Sequence, residues 1–337
     1  MKLKMKDNRA SKKKRRKYKI LIGILLVLLT GIVYEQIGQF LDSSRFQPPG
    51  KIISVNGHNM HIFAEGKGKT TVVFASGWKV PSPYVDFYPL YSELSKHTRT
   101  AVYDRPGYGW SETAHTPRDI DVIAKEWHEL LKKSGEKAPY ILVGHSIGSL
   151  EVIRFAQLYK DEVKGVVLID GSNPDMYSSA KKPSVFVNLR TSIMNHSIDL
   201  SNRCGLTRLL LNVIPDSYSS TVLVTARNNF KFAPENLKKL DAALLLKTLN
   251  NRNQVDEGKN KEANANKVAS KGYIKDIPLR IITSEEINSY KEARKNQFNL
   301  KRWSTDSKQI IVKGSGHAIH WVHPEVINKE ILDLLSK

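Results

Sequence analysis

The stretch best suited to covalent chemistry in this chain is Gly144-His145-Ser146-Ile147-Gly148. The apolar run Tyr140-Ile141-Leu142-Val143 precedes it, and a helix-like stretch, Ser149 to Tyr159, follows. On so sharp a strand-to-helix turn a serine takes an unfavourable backbone angle. The glycines two residues to either side let strand and helix approach, and the hydroxyl projects clear of the sheet edge. G-x-S-x-G alone is a weak signal; the flanking strand and helix patterns are what point to a nucleophile. A serine hydroxyl needs a base to take its proton, and the base needs an acid to hold its tautomer. His317 is the candidate base. It lies in Gly314-Ser315-Gly316-His317, just past the apolar run Gln309–Val312, on a loop that can fold back toward Ser146. His320 and His323 follow at three-residue intervals. A loop holding Gly and Pro, with no carboxylate at a fitting spacing, makes a poor metal site. No metal or other cofactor is therefore expected, and His320 and His323 are expected at a pocket rim or on the surface. An oxyanion hole needs two backbone N–H groups. Ile147, directly after the nucleophile, supplies one candidate; Trp78, in Ser76-Gly77-Trp78 after the run Thr70–Ala75, supplies the other.

These residues need a scaffold, and the hydropathy pattern predicts one. Lys51–Val55 and Met60–Glu65 alternate around Asn56-Gly57, a hairpin signal. Thr70–Ala75, Arg99–Tyr103, Tyr140–Val143, Gly165–Ile169, Leu279–Thr283 and Lys308–Val312 are β-rich runs, most of them separated by helix-length segments. Ile120 to Lys133 has helical spacing, with Ile120, Ile123, Ala124, Trp127, Leu130 and Leu131 on one face. Strands alternating with helices predict an α/β fold, a mostly parallel sheet covered on both faces. Between Ile169 and Leu279 the strand signal disappears. Residues 176–275 hold sixteen Lys or Arg and seven Asp or Glu. Helices are predicted there over Val185–Met194, Leu206–Val213, Ser219–Phe230 and Pro234–Thr248, forming a cap over the strand ends. The polar stretch Asn250 to Lys271 reads as a mobile loop or ragged helix end. The terminal helix is expected over Glu325 to Leu335.

The formal net charge is +20, unevenly placed. Residues 1–19 contain eleven Lys or Arg against Asp7 alone, so half of the excess lies in a basic tail. Ile20 to Tyr34 then runs without a charge, and the window Tyr18–Ile37 is long enough to span a bilayer. A cleaved signal peptide and an uncleaved signal anchor both fit. No Ala-x-Ala-like site follows the apolar core, which favours the anchor. The positive-inside rule then leaves the tail in the cytoplasm and the body outside, at the cell membrane. Anionic lipid explains the basic run better than nucleic acid does, and no nucleic-acid partner is expected. Cys204 is the single cysteine, which excludes an intramolecular disulfide and a Cys-based metal site. The resulting division is a tail (1–17), a transmembrane anchor (18–40), a stalk (41–50), a core (51–175 and 276–337) and a helical cap (176–275).

Four pieces in order carry a family resemblance: Ala75-Ser76-Gly77-Trp78, Asp104-Arg105-Pro106-Gly107-Tyr108-Gly109-Trp110-Ser111, Gly144–Gly148, and Gly316-His317 with Pro324. Across residues 51–337 the chain resembles the α/β-hydrolase superfamily, in particular its helical-capped serine hydrolases. The resemblance implies an oxyanion loop at Ser76–Trp78, with Ser76 where a His is common, and a structural role for the Asp104 turn. It implies a triad acid after the penultimate strand, where Ser284-Glu285-Glu286 offers no Asp, or at the end of the strand before the cap, where Asp170 stands. Asp170 leads; Glu285, Glu286 and Asp175 remain alternatives. The implied activity is hydrolysis of an ester-type acyl substrate, small or lipid-like, of the carboxylesterase or lipase kind. Tyr84, Phe87 and Tyr88 are candidates for an apolar acyl pocket, or else core. Aminopeptidase, C–C hydrolase or acyltransferase chemistry on the same residues, or a non-catalytic binding role, are the alternatives.

Overall fold

The continuous β-branched runs become one eight-stranded sheet. The computed structural model describes residues 2–178, 184–214 and 233–337. The strands are β1 (Lys51–Val55), β2 (His58–Glu65), β3 (Thr71–Ala75), β4 (Arg99–Tyr103), β5 (Tyr140–His145), β6 (Val163–Ile169), β7 (Leu279–Ser284) and β8 (Ser307–Val312). Their order across the sheet is β1-β2-β4-β3-β5-β6-β7-β8. β2 runs antiparallel to β1 and β4, and the remaining neighbours are parallel. Asn56 and Gly57, at φ of 48° and 82°, make the hairpin turn between β1 and β2.

The longer helices are α1 (Lys2–Arg45), α2 (Ile120–Ser134), α3 (Gly148–Leu158), α4 (Val185–Arg203), α5 (Leu206–Val213), α6 (Glu235–Thr248), α7 (Arg252–Ser270) and α8 (Pro324–Leu335). Helix α2 forms where its apolar face predicts. The Asp119 side chain accepts from the Asp121 amide at its start, and Gly135 ends it at φ 88°. Its Trp127 stacks on Tyr103 of β4 (centroids 5.0 Å, planes at 16°) and meets Phe155 of α3 at 4.8 Å. On the other face of the sheet, Phe74, Val143 and Val167 pack with Phe87, Ile331 and Leu334. The sheet is thus covered on both sides, and its central strands are fully buried.

Among the described residues, helices α4 to α7 lie between β6 and β7. The expected helix Ser219–Phe230 lies outside the described residues. The polar stretch Asn250–Lys271 is not a loop: it is α7, capped by Asn251, whose side chain accepts from the Asn253 and Gln254 amides. The face α7 buries is itself polar. Asn253 exchanges hydrogen bonds with both backbone groups of Ala114, and Asn264 bonds Ile120 N and Arg118 O. These side chains satisfy the backbone of the 114–120 loop, so hydropathy reads the helix as solvated when it is packed.

Helix α1 does not stop at Phe40; five more residues, to Arg45, are helical where a stalk was expected. By length and composition its 13–45 part could cross a membrane. Its apolar residues from Ile20 to Leu29 are exposed, whereas Glu35 is buried against the cap. Arg208 of α5 bonds Glu35 at 2.9 Å and Asp42 at 2.7 Å. A cavity of ≈ 620 Å³ separates the end of α1 from the body, lined by Phe40, Phe46, Trp110, Leu244 and Lys247 among others.

Trp127→Ala removes the largest side chain from the α2 interface and leaves a void between Tyr103 and Phe155. The expected cost is about 3–5 kcal/mol, read as a lower urea midpoint at unchanged slope.

Candidate active site

β5 ends at His145, and Ser146 follows in a left-handed conformation, φ 54°. Such a backbone costs a non-glycine residue ~1–3 kcal/mol, so its surroundings must hold it. They do: Ser146 N donates to Ile169 O at 3.0 Å, and Ser146 O accepts from Ser172 N at 3.0 Å. The glycines of the motif are needed for close approach. A Cβ at Gly148 would lie 2.7 Å from Ser76 O, and one at Gly144 would lie 3.0 Å from Gly148 O.

Asp170 follows β6 as Ser146 follows β5, also at positive φ (42°). Its amide donates to Ile282 O of β7 at 2.8 Å. The carboxylate is buried and nearly saturated. Oδ1 accepts from Ser284 N at 2.7 Å, and Oδ2 accepts from Ser284 Oγ at 2.6 Å. The remaining direction of Oδ2 faces His317 Nδ1, 3.1 Å away. His317 is about one-third exposed, and its carbonyl accepts from His145 Nε2 at 3.1 Å. A carboxylate fixed on one ring nitrogen leaves the other to take and return a proton.

The other candidate acids hold backbone. Glu285 Oε2 accepts from Gly314 N at 2.9 Å, and Glu286 N donates to Ser315 O at 3.2 Å. Glu286 Oε2 lies 2.9 Å from where a Gly316 Cβ would stand. Both therefore brace the loop that carries His317. Asp175 sits in the short helix Pro174–Ser178, its amide bonded to Asn173 Oδ1.

The loop after β3 lies against Ser146: a Cβ at Gly77 would come within 3.5 Å of Ser146 Cβ. Trp78 is the next residue, its ring half-exposed and its Nε1 bonded to Gln254 O of α7 at 2.8 Å. Ile147 is the N-cap residue of α3, so its amide is among those a helix does not use itself. Arg105 clamps this loop, and its part was not anticipated. Its guanidinium donates to Ser76 O (2.8 Å) and Gly77 O (3.0 Å), and pairs with Glu151 (2.7 Å) and Glu257 (3.1 Å). Nothing in local spacing links Arg105 to Glu257, which arrives 152 residues later from α7.

His320 is not at a rim. It is fully buried, with Nε2 3.3 Å from Asp86 Oδ1 and its ring 4.8 Å from that of His145. His323 is half-buried and reaches Glu325 at 3.1 Å. Asp86, His145 and His320 thus form a buried group whose ligand atoms all lie within 4.8 Å, the spacing a metal could use. It is not the run His317, His320 and His323 that the sequence reads as a poor metal site; two of its members come from other elements. Phe87 belongs to the core, while Tyr84 and Tyr88 are half-buried beside it. Burial, and then the neighbouring His317 and His320, hold the His145 pKa well below the ordinary imidazole value.

A family model described as the alpha/beta hydrolase fold matches residues 71–191. The chain has the α/β-hydrolase fold. An uncharacterised Bacillus subtilis protein, YbdG, is 28% identical to this chain over 318 residues, covering 93% of this chain and 94% of its own. The pimeloyl-(acyl-carrier protein) methyl ester esterase of Shewanella woodyi is 31% identical over 114 residues, 34% of this chain and 40% of its own. Among solved structures, a thermophilic esterase from Thermogutta terrifontis superposes with a TM-score of 0.61 at 16% identity, over 85% of this chain and 98% of that one.

The neutral His145 has a consequence for stability. Below the ordinary imidazole value of 6.5 the unfolded chain binds a proton that the folded chain refuses. Stability therefore falls as pH drops through about 6.5, by up to ~1.4 kcal/mol per pH unit for this one group. Urea denaturation of wild type and His145→Asn between pH 5 and 8 checks this: the variant should show the shallower acid-side slope.

Proposed function

We propose that this hydrolase is a membrane-anchored serine esterase whose catalytic domain faces the outside of the cell, with Ser146, His317 and Asp170 as its triad. The observation that carries the reading is the 3.1 Å contact between His317 Nδ1 and Asp170 Oδ2, on the strand next to the strained Ser146. The ester bond as target draws support from the Shewanella woodyi relative, which is named for a methyl ester.

Each residue has a defined task in this reading. The Ser146 Oγ attacks the acyl carbonyl carbon, and its proton passes to His317 Nε2. The tetrahedral oxyanion receives hydrogen bonds from the Trp78 and Ile147 amides. His317 returns the proton to the departing alcohol, leaving an acyl-serine. Water then attacks that acyl group, giving its proton to His317, and the acid leaves as Ser146 recovers its hydrogen. Asp170 keeps the Nδ1–H tautomer throughout. Glu285, Glu286 and Arg105 are positioning residues: the two glutamates hold the His317 loop, and Arg105 holds the oxyanion loop.

The exposed apolar surface of α1, preceded by its basic run, supports membrane insertion with the tail in the cytoplasm. The Glu35–Arg208 pair supports retention of the anchor, because cleavage beyond residue 35 would strip Glu35 from a buried guanidinium.

Steady-state hydrolysis of p-nitrophenyl esters of increasing chain length tests the reading. Ser146→Ala should abolish turnover, and Asp170→Asn should lower kcat by about 10³–10⁴-fold with little change in KM. Glu286→Gln should stay within about tenfold of wild type. Near-normal kcat in Asp170→Asn together with loss in Glu286→Gln would reassign the acid; full activity in Ser146→Ala would end the proposal.

A further inference from the structure

Helix α5 is built inside out for water. Arg208 points inward to Glu35 and Asp42, while Leu209, Leu210 and Val213 are half to two-thirds exposed. Helix α4 repeats the pattern: Phe186, Leu189 and Ile193, spaced three and four apart, form an exposed apolar stripe. A soluble helix buries its leucines and exposes its arginine. Together the two stripes make an apolar face on the cap of the kind that marks an interaction surface.

The position of that face relative to α1 identifies its occupant. The turn between α4 and α5 is seated on α1 at Gly31, where a Cβ would strike the Cys204 carbonyl, and a Cβ at Gly205 would in turn strike the Gly31 carbonyl and crowd the Tyr34 ring. Asn212 of α5 also donates to the Tyr34 hydroxyl at 2.8 Å. Gly31 belongs to the charge-free run Ile20–Tyr34. At 1.5 Å of rise per residue it lies about 9 Å along the helix before Ile37, inward from the outer end of the apolar window. A cap joined to α1 at that level cannot stand clear of the bilayer in which α1 is embedded. Helix α5 and the turn before it meet α1 at Gly31, Tyr34 and Glu35, and the charges at the junction, Glu35 and Arg208, are paired with each other.

We propose that α4 and α5 lie in the outer leaflet of the membrane that holds α1, so that the cap rests on acyl chains and the site beneath it takes its substrate from the lipid phase. This deepens the membrane-anchored reading and rests on it. The partner is the bilayer itself, bound by apolar burial of the two stripes as an in-plane amphipathic helix is bound.

Site-directed spin labels measure this directly. The full chain, with Cys204→Ser as background and its circular dichroism as the check on folding, is reconstituted in vesicles of phosphatidylethanolamine and phosphatidylglycerol. Single labels are placed at Phe186→Cys, Leu189→Cys, Leu210→Cys and Val213→Cys. Leu26→Cys on α1 and Lys132→Cys on α2 are the references for lipid and water. Accessibility to molecular oxygen is compared with accessibility to a water-soluble nickel chelate. The cap labels should match Leu26, with an oxygen-to-nickel ratio several-fold above that of Lys132. Cap labels that match Lys132 while Leu26 reports lipid would overturn the leaflet proposal and leave the anchor intact. Low accessibility to both reagents at the cap would mean that protein covers the face, which also overturns it. A Leu26 label reporting water would instead overturn the anchor.

Discussion

The ends of three neighbouring parallel strands, β5, β6 and β7, hold the site together through a short chain of hydrogen bonds. Ser146 leans on Ile169, Asp170 leans on Ile282, and Ser284 returns two bonds to the Asp170 carboxylate. Each link crosses from one strand end to the next, so strand register and site geometry are one constraint. Ser146 and Asp170 both sit at positive φ because the chain must leave its strand abruptly to reach the helix or cap that follows. That strain is held where rigid strands fix it, and in the proposed reading it keeps a hydroxyl and a carboxylate aimed before any substrate arrives.

The helices between β6 and β7 are tied to this frame by charge as well as by apolar burial. Arg105 stands between the loop after β3 and Glu257 of α7, with Glu151 on its other side and the Tyr108 hydroxyl donating to Glu257 at 2.6 Å. A guanidinium this deeply buried is stable only while both carboxylates remain. Movement of α7 would therefore be felt at Ser76 and Gly77, whose carbonyls Arg105 holds. Helix α5 is in turn tied to α1 through Arg208, so α1, the helices between β6 and β7, and the loop after β3 are connected through buried charge.

Much of this was legible in the sequence where one residue type does one job. Eight β-rich runs became eight strands, and the central ones were plainest because burial on both faces leaves little choice but Val, Ile and their like. The Ser146 turn and the His317 loop were readable because glycine spacing announces close approach. The rest was hidden for physical reasons. Helix α7 buries Asn253, Glu257 and Asn264 against backbone and guanidinium, which hydropathy scores as solvent-facing. Arg105 and His320 gain their surroundings from segments far away in the chain: Glu257 for the first, Asp86 and His145 for the second. Asp170 could be ranked but not chosen on sequence grounds. The contact that favours it in the proposed reading, His317 Nδ1 at 3.1 Å, joins residues 147 positions apart, while Glu285 bonds the Gly314 amide.

The central claim is that Ser146 is a hydroxyl made nucleophilic by His317. A fluorophosphonate probe followed by peptide mass mapping reads it without assuming a substrate. The account predicts a single adduct, on Ser146, formed by the folded wild-type chain and lost when His317→Gln removes the base. An adduct on another residue, or labelling of Ser146 that is indifferent to His317, would contradict it.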